Sequence, residues 1–263
     1  MNRPLLLAQL SDPHIGAEWA PADPVAGLRA AVAAVRALPA PPDAVLVTGD
    51  LSDHATDAEY EQVRELLAPL GAPLCVLPGN HDDRSALRRH FGLPGTGDEP
   101  VEYGVDLGPL RLVVLDTTRP GEDDGALDGG RLDWLAAELA AAPEQPTLLA
   151  MHHPPLVTGV PGWDEFALAA ADREALAAVV ARHAQVRLLV AGHVHRPMTA
   201  QLAGRPVSTA GSTYVQMRAD AASDGVVMTD EPASLSLHAV SGGELITHVH
   251  TVTRAPAGRP GRR

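Results

Sequence analysis

Along the chain, short runs dominated by apolar residues alternate with longer segments whose apolar residues recur every three or four positions. Residues 5–10 are apolar apart from Gln9, and comparable runs fall at 44–47, 73–77, 110–115, 147–151 and 186–191. Such runs predict strands buried on both faces. The segments between them predict helices. Asp23-Pro24 offers an N-cap and a first-turn proline to a helix carrying Val25, Leu28, Val32 and Val35 on one face. Thr56-Asp57-Ala58-Glu59 is a capping box ahead of Tyr60, Val63, Leu66, Leu67 and Leu70. Leu132, Leu135 and Leu139 mark another helix, and Leu176, Val179 and Val180 a further one. After Gly192 the pattern changes to alternation at 206–210, 234–240 and 245–252, which predicts half-exposed strands. The whole reads as one α/β domain over residues 1–253, its sheet core covered by helices, followed by a flexible Pro-, Gly- and Arg-rich tail at 254–263.

Composition narrows the function. With 45% hydrophobic and 20% charged residues the chain can bury a core and is not a disordered protein. Aromatics are only 3%, so few side chains can stack on a base or sugar. The 33 acidic against 20 basic residues give a net charge of −13, which argues against a nucleic-acid polymer or an anionic membrane as a partner held by bulk charge. All 20 basic residues are arginine, which removes phosphate-loop, Schiff-base and general-base lysines from consideration. Cys75 is the single cysteine and lies in an apolar run, the signature of a packed thiol in a reducing compartment. The apolar run at 5–7 is too short for a signal peptide, and no run approaches the roughly 18 residues of a membrane span. A cytoplasmic protein is expected.

The candidate chemistry lies where the strands end. Five strand ends in succession deliver Asp12-Pro13-His14, Gly49-Asp50, Gly79-Asn80-His81-Asp82, His152-His153 and Gly192-His193-Val194-His195. In open α/β sheets sites gather outside the carboxyl ends of the strands, so these segments can converge on one crevice. Imidazole and carboxylate donors without thiolates suit zinc, manganese, iron or cobalt in a reactive centre. More such residues stand here than one ion takes from a protein, and two ions about 3.5–4 Å apart are the natural reading. The glycines at 49, 79 and 192 mark turns where backbone approaches the centre closely.

The ordered set D-x-H, G-D, G-N-H-[DE], H and G-H-x-H resembles the calcineurin-like metallophosphoesterase superfamily over residues 12–195. The stretches 115–121, 132–135, 151–155 and 211–216 are similar to the bacterial class III cyclic-nucleotide phosphodiesterase subgroup, which also contains glycerophosphodiesterase-like enzymes. The resemblance implies a four-layer αββα sandwich of two mixed β-sheets flanked by helices. It implies two divalent or mixed-valence ions, iron, manganese or zinc. Asp12, His14 and His195 would take the first, Asn80, His152 and His193 the second, and Asp50 would bridge them. A hydroxide between the ions would attack phosphorus in line, and His81 would face the phosphoryl group and help protonate the leaving alkoxide. On this ligand set the centre carries about +1 despite the acidic chain. The implied substrate is a small phosphodiester, 3′,5′-cyclic AMP or a related nucleotide first, a glycerophosphodiester second, with phosphomonoesters open. A catalytically silent scaffold would require ligand losses, and none are seen.

The remaining polar residues have plainer readings. Asp82 could orient His81, His153 either contacts substrate or shapes its loop, and Asp116 is a turn or supporting residue. The acidic run 122–124 reads as a solvated turn, and His248 with His250 as a solvated strand face. Trp134 belongs to the core, whereas Trp163, in a Pro- and Gly-rich loop, is a candidate for contact with a base or a second subunit. The sequence leaves a homodimer open.

Overall fold

The protein, examined as a computed structural model, is described over residues 3–222 and 225–252. Its elements run in the order β1 (Leu5–Leu10), α1 (Pro24–Arg36), β2 (Ala44–Thr48), α2 (Asp57–Leu67), β3 (Leu74–Leu77), α3 (Arg84–Phe91), β4 (Tyr103–Asp106) and β5 (Arg111–Val114). They continue with α4 (Gly129–Ala140), β6 (Thr147–Ala150), α5 (Pro161–Asp164), α6 (Ala170–Ala181), β7 (Val186–Ala191), β8 (Met198–Leu202) and β9 (Arg205–Thr209). A short ladder of β10 (Gln216–Met217) and β11 (Met228–Thr229) precedes the hairpin of β12 (Ser234–Ser241) and β13 (Glu244–Thr251). The tail expected at 254–263 lies outside the described residues.

Two mixed sheets carry the fold, one ordered β13-β12-β1-β2-β3 and the other β4-β5-β6-β7-β9-β8. Strand parity explains why both sheets are buried on both faces. Leu5, Leu7, Ala44, Leu46, Cys75 and Leu77 of the first sheet meet Leu112, Val114, Leu148, Ala150, Leu188 and Val190 of the second between the layers. The alternate residues face helices. Ala8, Leu10, Val45, Val47 and Val76 pack under α1 and α2, and Val113, Leu149, Leu189 and Ala191 under α4 and α6. This is the four-layer αββα sandwich of the expectation.

Three local readings change. The stripe from Tyr60 to Leu70 is broken at Leu67, where Pro69 turns the chain into a 3-10 turn over Ala68–Leu70 because its ring cannot follow an α-helical carbonyl. Helix α3 brings only Ala86, Leu87 and Phe91 to the core, and buried arginines pack beside them. Arg88 donates to the carbonyls of Pro94, Gly97, Glu99 and Pro100, while Arg84 grips Asp116 and the carbonyls of Asp98 and Thr118. Strand β12 alternates, yet it is not half-exposed. Leu235 and Leu237 face the helices, and Ser236 and His238 are buried on the inter-sheet face, where the His238 ring meets Thr247 Oγ1 at 2.9 Å and Gln9 Oε1 at 3.0 Å.

Polar bonds tie the two sheets together at their carboxyl rim. Gln9 Nε2 donates to Ala191 O across the layers (3.2 Å), and the backbone N–H of His193 donates to Asp12 Oδ1 (3.0 Å). The rim is therefore built from both sheets.

Candidate metal centre

Every strand end named in the sequence reaches this rim, and at three of the five the backbone is strained. Asp12, His14, Asp50, His193 and His195 all have positive φ, between 44° and 70°, a region that L-residues enter at a cost of about 1–3 kcal/mol. Gly49 has φ 89°, and a Cβ there would lie 2.3 Å from His152 Nδ1. At Gly79 a Cβ would meet Asp50 Oδ1 at 2.1 Å. Both positions need glycine so that neighbouring strand ends can close on one another.

Two groups of donors result, sharing Asp50. In the first, His14 Nε2 lies 3.1 Å from His195 Nε2 and 3.3 Å from Asp50 Oδ2, with Asp12 Oδ1 3.7 Å from His195 Nε2. In the second, Asn80 Oδ1 is 3.0 Å from His152 Nε2 and 3.1 Å from His193 Nδ1, and His152 Nε2 is 3.4 Å from Asp50 Oδ2. The outer nitrogens are committed. Those of His14, His152 and His195 face acceptors: Asp53 Oδ1 (2.9 Å), the Thr48 carbonyl (2.8 Å) and the Val215 carbonyl (2.8 Å). Each Nδ1 therefore carries a proton, and each Nε2 is the ring atom turned toward the centre.

Burial and charge set the protonation of the centre. Burial, reinforced by neighbouring histidines, pushes His195 well below the usual range and His193 down to about 3, so both are neutral imidazoles. Burial opposes the charging of His152 too, but the Asp50 carboxylate outweighs it and raises that ring to about 9. Burial raises Asp12 to about 6 even against the pull of His152.

His81 differs from its neighbours. Its side chain is 33% exposed, its ring stands edge-on to His14 at 4.7 Å, and its Nδ1 donates to the Asp53 carbonyl at 3.1 Å with Asp53 Oδ1 at 3.4 Å. Burial opposes protonation, but Asp50 and Asp53 raise its pKa. Asp82 does not orient this ring, contrary to the sequence reading. It accepts from the backbone N–H groups of Leu51, Ser52 and Gly79 and from the Tyr60 hydroxyl, and so fastens the loops that carry Asp50 and Asn80. Asp53, which the sequence reading passed over, is the carboxylate behind His14 and His81. The signal was available: in Gly49-Asp50-Leu51-Ser52-Asp53 a second carboxylate follows the first by three residues.

At the mouth, Trp19 was also missed. Its ring lies 5.3 Å from His14 and 4.8 Å from Tyr214, its indole N–H donates to Asp53 Oδ1 (3.0 Å), and it is 38% exposed. Trp163 is not at the surface: at 3% exposure it packs with Val160 and Val194, beneath the loop that presents His193 and His195. His153 is a loop fastener. Its ring nitrogens meet Thr117 Oγ1 (2.9 Å) and the Asp123 carbonyl (3.1 Å). Asp116 accepts from Thr118 N and Oγ1 and from Arg84, as a turn residue would. The acidic run is not simply solvated, because Asp124 holds the Arg119 guanidinium through both oxygens. A cavity of about 270 Å³ beside Asn80 is lined by Thr118, Arg119 and Arg84. His248 and His250 sit on exposed β13, away from the centre.

Comparison with known proteins gives this arrangement a family. The sequence description of the calcineurin-like phosphoesterases matches residues 5–197. The chain belongs to that family. Among the relatives of this calcineurin-like phosphoesterase is a probable cyclic nucleotide phosphodiesterase of Rhodococcus erythropolis, 37% identical over 220 residues, covering 80% of this chain and 71% of the relative. Another is a probable glycerophosphodiester phosphodiesterase of Arcobacter nitrofigilis, 32% identical, covering 89% and 88%. The fold is also that of a dimetal phosphatase from Danio rerio, with TM-score 0.73, 17% identity and coverage of 96% and 98%.

A calcineurin-like dimetal fold implies metal ions, and the residues present fit them. His14 Nε2 and His195 Nε2 face each other at 3.1 Å, and His152 Nε2 faces the carbonyl oxygen of Asn80 at 3.0 Å. Each such pair shares a single proton, and a divalent cation can take that proton's place between the same atoms. Asp12, His14, Asp50 and His195 each offer a ligand atom within 4.8 Å of the others. Their identity as donors, nitrogen and oxygen without sulfur, suits several first-row ions.

Proposed function

We propose that this phosphoric ester hydrolase acts on a phosphodiester, with a 3′,5′-cyclic nucleotide, cyclic AMP first, as its substrate. One observation carries the reading. Asp50 Oδ2 lies 3.3 Å from His14 Nε2 and 3.4 Å from His152 Nε2, so a single carboxylate oxygen serves two donor groups beside one exposed imidazole. Asp12, His14 and His195 would hold one ion, Asn80, His152 and His193 the second, and Asp50 both. Iron, manganese and zinc are the candidates. When bound, two such ions acidify water and offset the charge of phosphoryl oxygens.

The chain's own residues do the rest. His81 keeps its Nδ1 proton on the Asp53 carbonyl, leaving Nε2 toward the mouth, and its raised pKa favours a proton there for the departing ester oxygen. Asp53 fixes His81 and His14 together. Trp19, partly exposed beside the centre, offers an aromatic surface against which a base can pack. This favours a nucleotide over glycerophosphodiesters, the second reading, which the Arcobacter relative supports. We place the catalytic domain at 1–253 and the protein in the cytoplasm; no described helix is long and apolar enough to cross a membrane.

The deciding experiment reconstitutes the protein with each metal and offers cyclic AMP, a glycerophosphodiester, an aryl phosphodiester and an aryl phosphomonoester. Turnover of cyclic AMP and the aryl diester is expected. Turnover of the monoester alone would refute the diesterase reading.

A further inference from the structure

Strand β13 is the longest open edge in the fold. It flanks β12 on one side only, and among the described residues nothing pairs with its other side. Open edges are ordinarily blunted by lysine, proline, a bulge or short length. This one is eight residues long, and between Leu245 and Thr251 it carries no formally charged residue and no proline. Two of the few large apolar side chains exposed on the molecule, Ile246 (47%) and Val249 (53%), sit on it.

The hairpin geometry shows which backbone groups face outward. Ser241 pairs with Glu244 across Gly242 and Gly243, whose φ values of 60° and 85° make a two-residue turn of the type that fits a twisted ladder. In such a hairpin the closing pair exchanges hydrogen bonds, so Glu244, Ile246, His248 and His250 bond to β12. Leu245, Thr247, Val249 and Thr251 then direct their N–H and C=O groups to the open side.

Those outward residues lie in a palindrome. Thr247-His248-Val249-His250-Thr251 reads the same in both directions. An antiparallel pairing about a two-fold axis at Val249 sets Val249 against Val249, Thr247 against Thr251 and Thr251 against Thr247, each a hydrogen-bonded pair. His248 of each copy meets His250 of the other in the closer, non-hydrogen-bonded positions. Glu244 falls outside this register. A chain of net charge −13 repels its copies over most of its surface, and this uncharged strand lets two approach without setting like charges opposite one another.

We propose that the protein is a symmetric homodimer formed by β13 pairing antiparallel with β13 of a second copy about Val249, joining the two five-stranded sheets into one.

The test is sedimentation velocity across the micromolar range on three proteins. The wild type is expected to be a concentration-dependent dimer. Val249→Lys, which sets two ammonium groups together on the axis, is expected to weaken association by about a hundredfold or more. The pair His248→Lys with His250→Glu, at two exposed positions that meet across the copies, makes two cross-copy ion pairs in this register and is expected to dimerise at least as well as the wild type. Metal-reconstituted activity per chain reports that each variant is folded, since β13 lies away from the centre. A monomeric wild type, or a Val249→Lys dimer as strong as the wild type, overturns the proposal. Loss of the dimer in the folded charge pair overturns its register.

Discussion

At the scale of single residues, the chemistry depends on which nitrogen of each ring is free. His14, His152 and His195 have their Nδ1 protons committed to Asp53, Thr48 and Val215, so their coordinating nitrogens are fixed before any ion arrives. His81 shares Asp53 with His14 but stands partly in solvent. Replacing His81 with alanine is expected to leave bound metal unchanged while lowering kcat by roughly 10²–10⁴-fold, the range for a lost proton donor. Metal analysis beside steady-state kinetics separates the two quantities. Asp53→Asn is expected to lower both, because it removes the carboxylate charge beside the His14 and His81 rings while keeping the backbone carbonyl that holds His81 Nδ1: metal affinity and kcat each fall by roughly 10–100-fold. An effect on kcat alone would show that Asp53 acts only through His81. Asp53 and Trp19 escaped the sequence reading because their meaning depends on what lies across the rim. The G-D and G-H-x-H segments were legible because their ligand pairs are close in sequence and follow apolar runs.

At the scale of elements, polar residues inside the sandwich carry a pH liability. His238 of β12 is buried between the sheets, and burial lowers its pKa from 6.5 to about 4. The unfolded chain takes up a proton on this ring near pH 6.5, whereas the folded protein resists until about pH 4. Stability present above pH 6.5 is therefore lost as the pH falls toward 4, on the order of 3 kcal/mol in full. Urea unfolding at neutral pH and near pH 4.5 is expected to show this loss, and His238→Gln to show less of it. An equal loss in the variant would place the acid sensitivity elsewhere. The alternation of β12 did predict a strand, but periodicity states only that two faces differ. It could not reveal that the polar face was turned inward, onto Gln9. The same limit concealed α3, where buried Arg84 and Arg88 stand beside a short apolar set of Ala86, Leu87 and Phe91.

At the scale of the whole molecule, the centre is a junction between two sheets whose rim converges imidazole, carboxylate and amide oxygen ligands from both. Stripping metal with a chelator is expected to lower Tm, and restoring a first-row divalent ion to recover it. At a hundredfold excess over Kd each site contributes about 2.7 kcal/mol, or roughly 5–10 °C in a chain of this size. A Tm unmoved by chelation and reloading would mean that the donors hold no ion. The sequence by itself determined the six buried strands, four of the helices between them and the ligand-type residues at their ends, because burial pattern and turn chemistry are local. Only the tertiary structure decided that Asp50 faces two donor groups at once, that Asp53 rather than Asp82 stands behind His81, that Trp19 is exposed and Trp163 buried, and that the palindrome of β13 lies on an open edge. Each of these depends on the distance and solvent between segments far apart in the chain, and those are fixed only when the two sheets stack.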